Sequence, residues 1–540
     1  MSARKRIPTK GELLQLQKLY KTDEKIGERL GGVPPYLVAY WRRKKNVPKH
    51  SQPKFSEKEI KNLWERYGDD DKCGLELGIS KAAFYNWRRR YGIREKPAFL
   101  KLEQLELDFP GAKSTTASTS LYGKQTLAQK VYGRAAQLSR VEVGQTVQVE
   151  PDLITADSQV IHVIKAFKKS ETELIWNPNK LLVSLATCPY DKQESPAETV
   201  RQIREFLKRQ GVRSLYDASE GCCHQVAVES GLVLPGQLVV GVDQYAVSYG
   251  CLSSIGTVAA PEKIAEIWSS GKAEITVPST IRIDINGRRS RGVYGKDIAL
   301  SVVKLLGAVE TKGKAIEYYG HVVASMSMSE RFTLANLTID TGAETAVCGF
   351  DSTTRRFLNG RAVGTYNPVI ADKNAEYEDI YQINIDQLTP MLATPNDPME
   401  VTPVSEHEGL AVNLVVLGTS NNGRFDDLRV AAEILKGKQV HEDCRLLIYP
   451  SSRTVYLEAL KKGLIRVLVE AGAVVMYPGY GGLLDINSML ASGERALATT
   501  NHSRVSSTPK SSCEIFLCSP ATAAASALNG VVTDPTRFVK

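Results

Sequence analysis

Near its C-terminal end the chain repeats a short apolar run followed by an amphipathic helix, and this alternation restricts the fold more than any other feature. Leu414-Val415-Val416-Leu417 has the unbroken apolar character of a strand covered on both faces. Helical periodicity follows over 425–437, with Leu428, Ala431, Ala432 and Leu435 on one face. Asp426 and Asp427 suit the positive N-terminal end of that helix, and Gly437 its stop. Leu446-Leu447-Ile448-Tyr449, a helical stretch from Leu457 to Val469, and Ala473-Val474-Val475-Met476 continue the cycle. Strands joined by helices run parallel, so the expected class is α/β from about Thr126 onward. Ser420 and Tyr480 fall in loops just past strands, where open α/β sheets hold their ligands. Gly250, Gly479, Gly481 and Gly482 are assigned to tight turns.

The first hundred residues differ in kind. They carry 24 Lys+Arg against 12 Asp+Glu, leaving 45 basic and 48 acidic residues for the rest, so the whole net charge of +9 originates there. Residues 10–48 and 56–94 are self-similar, with Trp41 and Trp87 aligned 46 positions apart. Each copy reads as helix, helix, glycine turn, helix. In the second, Ile60, Leu63, Trp64 and Tyr67 recur at helical spacing, Ser80 caps, and Lys81 to Arg90 is the last helix. The pattern looks like a helix-turn-helix, which implies DNA as partner and leaves RNA open. Tyr36, Ser80, Lys81 and Tyr85 are placed to reach base edges. Arg42, Arg43, Lys44, Lys45, Arg88, Arg89 and Arg90 are placed to grip phosphates. A pair of small helical domains with solvated basic faces is the plainer alternative, and Trp41 and Trp87 suit core anchors.

The expected division is therefore 1–50 and 51–96 as two small all-α modules, 97–124 as a linker, and 125–412 and 413–540 as the α/β body. The linker includes Pro97, Pro110 and the run Ser114-Thr115-Thr116-Ala117-Ser118-Thr119-Ser120, with neither helical nor strand period. No apolar stretch is long enough to span a membrane, and Met1-Ser2-Ala3-Arg4-Lys5-Arg6 leads into no apolar core, so a cytoplasmic protein is expected. Nine scattered cysteines without a C-x-x-C pair fit reduced thiols, and Cys222-Cys223-His224 reads as buried thiols rather than a metal site.

Several long segments carry a family resemblance. They include Gly292-Val293-Tyr294-Gly295-Lys296-Asp297-Ile298-Ala299-Leu300, Ser329-Glu330-Arg331-Phe332-Thr333-Leu334-Ala335-Asn336-Leu337, and Asp427-Leu428-Arg429-Val430-Ala431-Ala432-Glu433-Ile434-Leu435. Over about 415 residues the body resembles the large subunit of the aconitase/3-isopropylmalate dehydratase family. The resemblance implies three-layer α/β/α domains, a [4Fe-4S] cluster on three cysteines, and a hydro-lyase acting on hydroxy di- or tricarboxylates. Here the family's I-G-S-C-T-N-x-R and P-G-C-x-x-C-L become Leu417-Gly418-Thr419-Ser420-Asn421-Asn422-Gly423-Arg424 and Pro478-Gly479-Tyr480-Gly481-Gly482-Leu483-Leu484. The cluster positions are thus Ser420, Tyr480 and Leu483, poor or impossible ligands for a soft iron-sulfur centre, and no cofactor is expected. G-D-S-H-T becomes Val242-Asp243-Gln244-Tyr245-Ala246, so a family histidine is Tyr245. What the resemblance retains is His224, Asp243 and Asp340 as the catalytic remnant. Asn421, Arg424, Asn501 and the nearby Arg504 remain for substrate.

Two functions follow as expectations. The first is a cluster-less pseudoenzyme fused to DNA-binding modules, acting as a metabolite-sensing or partner-binding regulator. The second is a divergent hydro-lyase or isomerase of the large-subunit type, using His224, Asp243, Asp340 and Arg424. The family's serine base sits on a swivelling small domain absent from this chain, so a small-subunit partner belongs to either picture.

Overall fold

A computed structural model describes residues 7–47, 55–67, 70–93, 123–157, 159–186, 195–307, 309–395, 397, 399–419, 421–479, 486–501 and 513–539. Two compact units result, Met1–Ala117 and Ser118–Lys540. Most of the 97–124 segment lies outside the described residues.

The first unit contains two trihelical modules. Helices α1 (Lys10–Tyr20), α2 (Asp23–Arg29) and α3 (Pro35–Lys44) form one; α4 (Glu57–Tyr67), α5 (Asp70–Glu76) and α6 (Lys81–Arg90) form the other. Thr9 and Glu12 close a capping box at α1, and the Ser80 hydroxyl accepts from the Ala83 amide at α6. Leu13, Ile26, Val38 and Trp41 bury one core; Ile60, Trp64, Cys73 and Phe84 bury the other. Gly27 and Gly74 occupy equivalent places on α2 and α5. A Cβ at Gly27 would meet the Val33 carbonyl oxygen at 2.1 Å, and one at Gly74 the Ile79 oxygen at 2.7 Å. Glycine is therefore what lets the turn fold back on the second helix.

Arg42 and Arg88 correct the phosphate assignment. Both are buried. Arg42 Nε and Nη2 donate to both oxygens of Asp23 at 2.7 Å, and Nη1 donates to the Val47 carbonyl. Arg88 repeats this on Asp70 and the Ile93 carbonyl. Each arginine ties the end of its third helix to the start of its second, and neither is offered to a phosphate.

The second unit is an α/β fold with parallel sheets and many helices. One sheet has five strands in the order Ser214–Tyr216, Leu181–Ser184, Leu153–Ala156, Leu238–Gly241, Ile255–Val258, all parallel. A second runs Thr345–Cys348, Ala315–Tyr319, Thr280–Asn286, Asp379–Asn384, also parallel. Thr146–Val149 and Ala273–Thr276 form an antiparallel pair. The third sheet has seven strands, with Arg495–Ala498, Leu414–Gly418, Arg445–Tyr449 and Val474–Val475 adjacent and parallel. It also recruits Met391–Ala393, antiparallel to Glu514–Cys518, and Val401–Pro403 beyond it, so it reaches back past residue 413. Among the described residues no helix is long and apolar enough to cross a membrane.

Two local expectations change. The helical stretch 457–469 is two helices, Arg453–Lys461 and Leu464–Glu470, broken where Gly463 takes a φ of 75°. Gly250 serves a close approach rather than a turn, because a Cβ there would lie 1.7 Å from the Ala346 carbonyl oxygen. Gly250→Ala is expected to cost about 1–3 kcal/mol through forced backbone displacement, read as a lower denaturant midpoint at unchanged m-value. Gly479 does adopt a turn conformation, at φ 102°, while Gly481 and Gly482 lie outside the described residues.

Candidate functional site

The seven-stranded sheet changes direction of winding at one place. From Leu414–Gly418 the chain proceeds outward to Arg445–Tyr449 and Val474–Val475, then returns to the other side with Arg495–Ala498 and Glu514–Cys518. The two strands flanking that switch end in adjacent loops, the expected ligand position in such sheets. The first loop carries Asn421 and Arg424, the second Asn501. Gly418, Thr419 and Gly423 all have positive φ, 110°, 81° and 77°. For the β-branched Thr419 this is costly, a strain that the surrounding structure must hold. The Gly418 amide donates to Thr499 Oγ1 at 2.8 Å and locks the two loops together.

Beneath the loops lies a buried polar network. Lys296, Asn336, Asn422 and Asn501 are each at most 3% exposed. Lys296 Nζ donates to the Thr500 carbonyl and to Asn501 Oδ1, both at 2.8 Å. Asn422 Nδ2 donates to Asn501 Oδ1 at 2.9 Å, and Asn501 Nδ2 to Asn336 Oδ1 at 2.9 Å. Thr333 Oγ1 donates to Asn422 Oδ1 at 3.0 Å. Burial lowers the Lys296 ammonium to about 7. Asn501 is thus fully engaged in holding its loop.

Arg424 differs. It is 6% exposed and its guanidinium lies 3.8 Å above the Phe332 ring. Nη1 donates to the Ser329 carbonyl at 3.2 Å and to Thr333 Oγ1 at 3.4 Å. Nε and Nη2 are buried and have no hydrogen-bond partner among the described residues, and the same holds for both amide atoms of Asn421. Burial brings Arg424 down to about 10, so it stays cationic at neutral pH. It lines a cavity of about 140 Å³ with Gln225, Glu229, Phe332, Phe357 and Arg361, where segments from all parts of the body meet. Glu229 accepts from Ser452 Oγ at 2.6 Å, and burial raises its carboxyl to about 7.

The remaining expected residues are distributed around this centre. His224 is buried on the helix Cys223–Glu229, stacked on Tyr245 at 4.7 Å and tilted against Phe332 at 5.9 Å, so it joins the Arg424 stack. Asp243 caps the 3-10 helix Gln244–Leu252 by accepting from the Tyr245 amide at 3.2 Å, which is a structural use. Asp340 sits in the 3-10 turn Thr338–Thr341 and its charge acts on Lys296. Cys223 Sγ is hydrogen-bonded to the Ala156 carbonyl at 3.2 Å, and the eight described cysteines are all buried free thiols. Ser420, Tyr480, Leu483 and Arg504 lie outside the described residues. In the first unit, Tyr36, Arg43, Lys44, Ser80, Lys81, Tyr85, Arg89 and Arg90 are exposed and Lys45 is half-buried.

Lys296, Glu229, Asn422 and Thr333 were not among the residues expected from sequence. Lys296 had a signal, a lone Lys-Asp pair in the apolar run Ile298-Ala299-Leu300 that follows it. Glu229 had none.

The family's cluster does not suit the residues at its positions. A hydroxyl, a phenol and an aliphatic side chain replace three thiolates. Among the described residues no group of three His, Cys, Asp or Glu side chains comes together as a metal site.

A parallel α/β body with a buried arginine at its switch point narrows the class, and sequence comparison places it. The chain belongs to the aconitase family (aconitate hydratase), whose model matches residues 147–409 and 405–530. It is 38% identical over 418 residues to the 3-isopropylmalate dehydratase large subunit 1 of Methanopyrus kandleri, covering 77% of this chain and 100% of that relative. It is 37% identical over 383 residues to the probable methanogen homoaconitase large subunit of Methanosarcina mazei, covering 71% and 97%. The holo-form of Thermococcus kodakaraensis aconitase X aligns at a TM-score of 0.40 and 11% identity over 66% of this chain and 84% of its own.

Proposed function

We propose that the body is a divergent carbon–oxygen hydro-lyase of the 3-isopropylmalate dehydratase large-subunit type, binding a hydroxy di- or tricarboxylate. The observation that carries this reading is Arg424, a buried cation that lines a cavity and whose Nε and Nη2 have no hydrogen-bond partner among the described residues. A carboxylate matches such a fork bidentately and satisfies both donors at once. Asn421, whose side-chain amide has no partner among the described residues, supplies donor and acceptor for a second carboxylate or a hydroxyl.

Removal of water beside a carboxylate needs a proton for the leaving hydroxyl and a base for the carbon-bound hydrogen. Glu229, its carboxyl raised to about 7, is about half protonated at neutral pH and shares the Arg424 cavity, so it is assigned as the donor. The relatives are named large subunits, and we assign the base to a small-subunit partner. Ser420, Tyr480 and Leu483 do not suit an iron-sulfur cluster, so in this reading the proton donor is a side chain.

Binding has a definite pH sign. Below about 7 Glu229 is neutral and the cavity favours an anion; above it the carboxylate repels one. Carboxylate affinity is expected to fall as pH rises through about 7, and Glu229→Gln to flatten that dependence in calorimetric titrations. Stability carries the same sign: with the carboxyl raised from 4.5 to about 7, its contribution is full at low pH, falls as pH rises above 4.5 and is lost by about 7.

A second reading rests on the three replaced thiolate positions. The body would then keep the pocket without the chemistry and act as a metabolite-sensing or partner-binding regulator. Single-turnover assays with 2- and 3-hydroxy di- and tricarboxylates separate the two. Binding with product formation supports the hydro-lyase, and binding alone supports the regulator.

A further inference from the structure

We infer that the N-terminal unit binds duplex DNA through the outer faces of α3 and α6. This rests on neither reading of the carboxylate pocket. The two modules share one internal device, the Arg42–Asp23 and Arg88–Asp70 struts, each also donating to the carbonyl five residues on. The strut takes one arginine of each basic run inward and leaves its neighbours outward. In α3, Tyr36, Tyr40 and Arg43 recur at helical spacing on the exposed side, with Tyr36 71% and Tyr40 53% exposed. In α6, Tyr85, Asn86 and Arg89 are exposed, with the Arg89 guanidinium 5.6 Å from the Tyr85 ring. Each outer face thus combines hydrogen-bonding or aromatic groups in the middle of a short helix with cations at its end.

That order matches what a helix laid in a major groove requires. The middle and N-terminal side chains meet base edges, and Arg43, Lys44, Arg89 and Arg90 meet phosphates. Asp23 and Asp70, the first residues of α2 and α5, are taken up by the buried struts. Exposed large aromatics beside lysine and arginine are costly on a surface with no partner, and a polyanion with flat base edges accounts for both. The body relatives supply no counterpart, since the Methanopyrus kandleri protein is covered in full by 418 residues of the 540 here.

The test uses the full chain and a fluorescein-labelled 30-base-pair duplex of random sequence, followed by anisotropy across a series of potassium chloride concentrations. Wild type is expected to bind, with affinity falling steeply as salt rises. The variant R43A/K44A/R89A/R90A is expected to bind at least ~10-fold more weakly, with a log–log salt slope shallower by about 3–4. Unchanged helicity and unchanged carboxylate titration in that variant exclude misfolding and separate this result from the pocket. Y36A/Y85A is expected to leave the slope intact while reducing preference among sequences selected from a duplex library. Absence of duplex binding, a salt-independent affinity, or tighter binding to a single-stranded RNA of equal length would each overturn the inference.

Discussion

Arg424→Met is expected to abolish carboxylate binding while leaving the body as stable as before, or more so. The guanidinium is desolvated, and its Nε and Nη2 make no hydrogen bond among the described residues. Methionine has a similar reach and carries no charge to bury, so relief of the desolvation cost offsets the lost Ser329 and Thr333 hydrogen bonds and the charge on the Phe332 face. The ligand loses its bidentate partner. Removing one member of a buried charge pair costs about 2–5 kcal/mol, or roughly 30- to 5,000-fold in Kd. Calorimetry against hydroxy di- and tricarboxylates reads the affinity, and thermal melting reads the stability. A variant that loses both together would mean that Arg424 is a packing element and not an anion site.

The second large effect lies in the N-terminal unit. Arg42→Ala leaves Asp23 ionised and 13% exposed with no partner, and it also frees the Val47 carbonyl. Breaking such a pair from one side costs about 3–5 kcal/mol, comparable to the whole stability of a module of fewer than fifty residues. The first module is expected to lose its cooperative melt, seen in Trp41 fluorescence. The second module buries a separate core and should melt as before. The paired replacement R42M/D23L should recover most of the loss, because it removes both charges at once.

Much of the fold was legible from period alone. Leu414 to Leu417 reads as a covered strand and is one; Phe425 to Gly437 reads as a helix, observed as Phe425–Leu435 with Asp427 accepting from the Gly423 and Arg424 amides. Gly463 was not read as a break because the apolar period resumes past it in nearly the same phase. The basic runs misled for a definable reason. Lysine and arginine in series look uniformly solvated, yet Arg42 stands four residues after the buried Val38, and Arg88 four after the buried Phe84. That spacing places both on the core face, where a charge persists only if paired. Arg424 and Asn421 came from motif resemblance. Their significance comes from Nε, Nη2 and amide atoms left without partners among the described residues, and no one-dimensional pattern encodes that. Glu229 is brought into the cavity by tertiary packing, from a helix some 195 residues earlier in the chain.

The central claim is that this aconitase-family body handles a hydroxy carboxylate without a thiolate-held cluster. Anaerobic iron-sulfur reconstitution of the full chain, followed by iron and sulfide analysis and a turnover assay before and after, tests it most directly. The expected result is a colourless protein with neither iron nor sulfide in stoichiometric amount, whose response to hydroxy di- and tricarboxylates is the same before and after treatment and is lost in R424M. A stoichiometric cluster whose formation switches on turnover would contradict the account, and would mean that ligands other than Ser420, Tyr480 and Leu483 hold the iron.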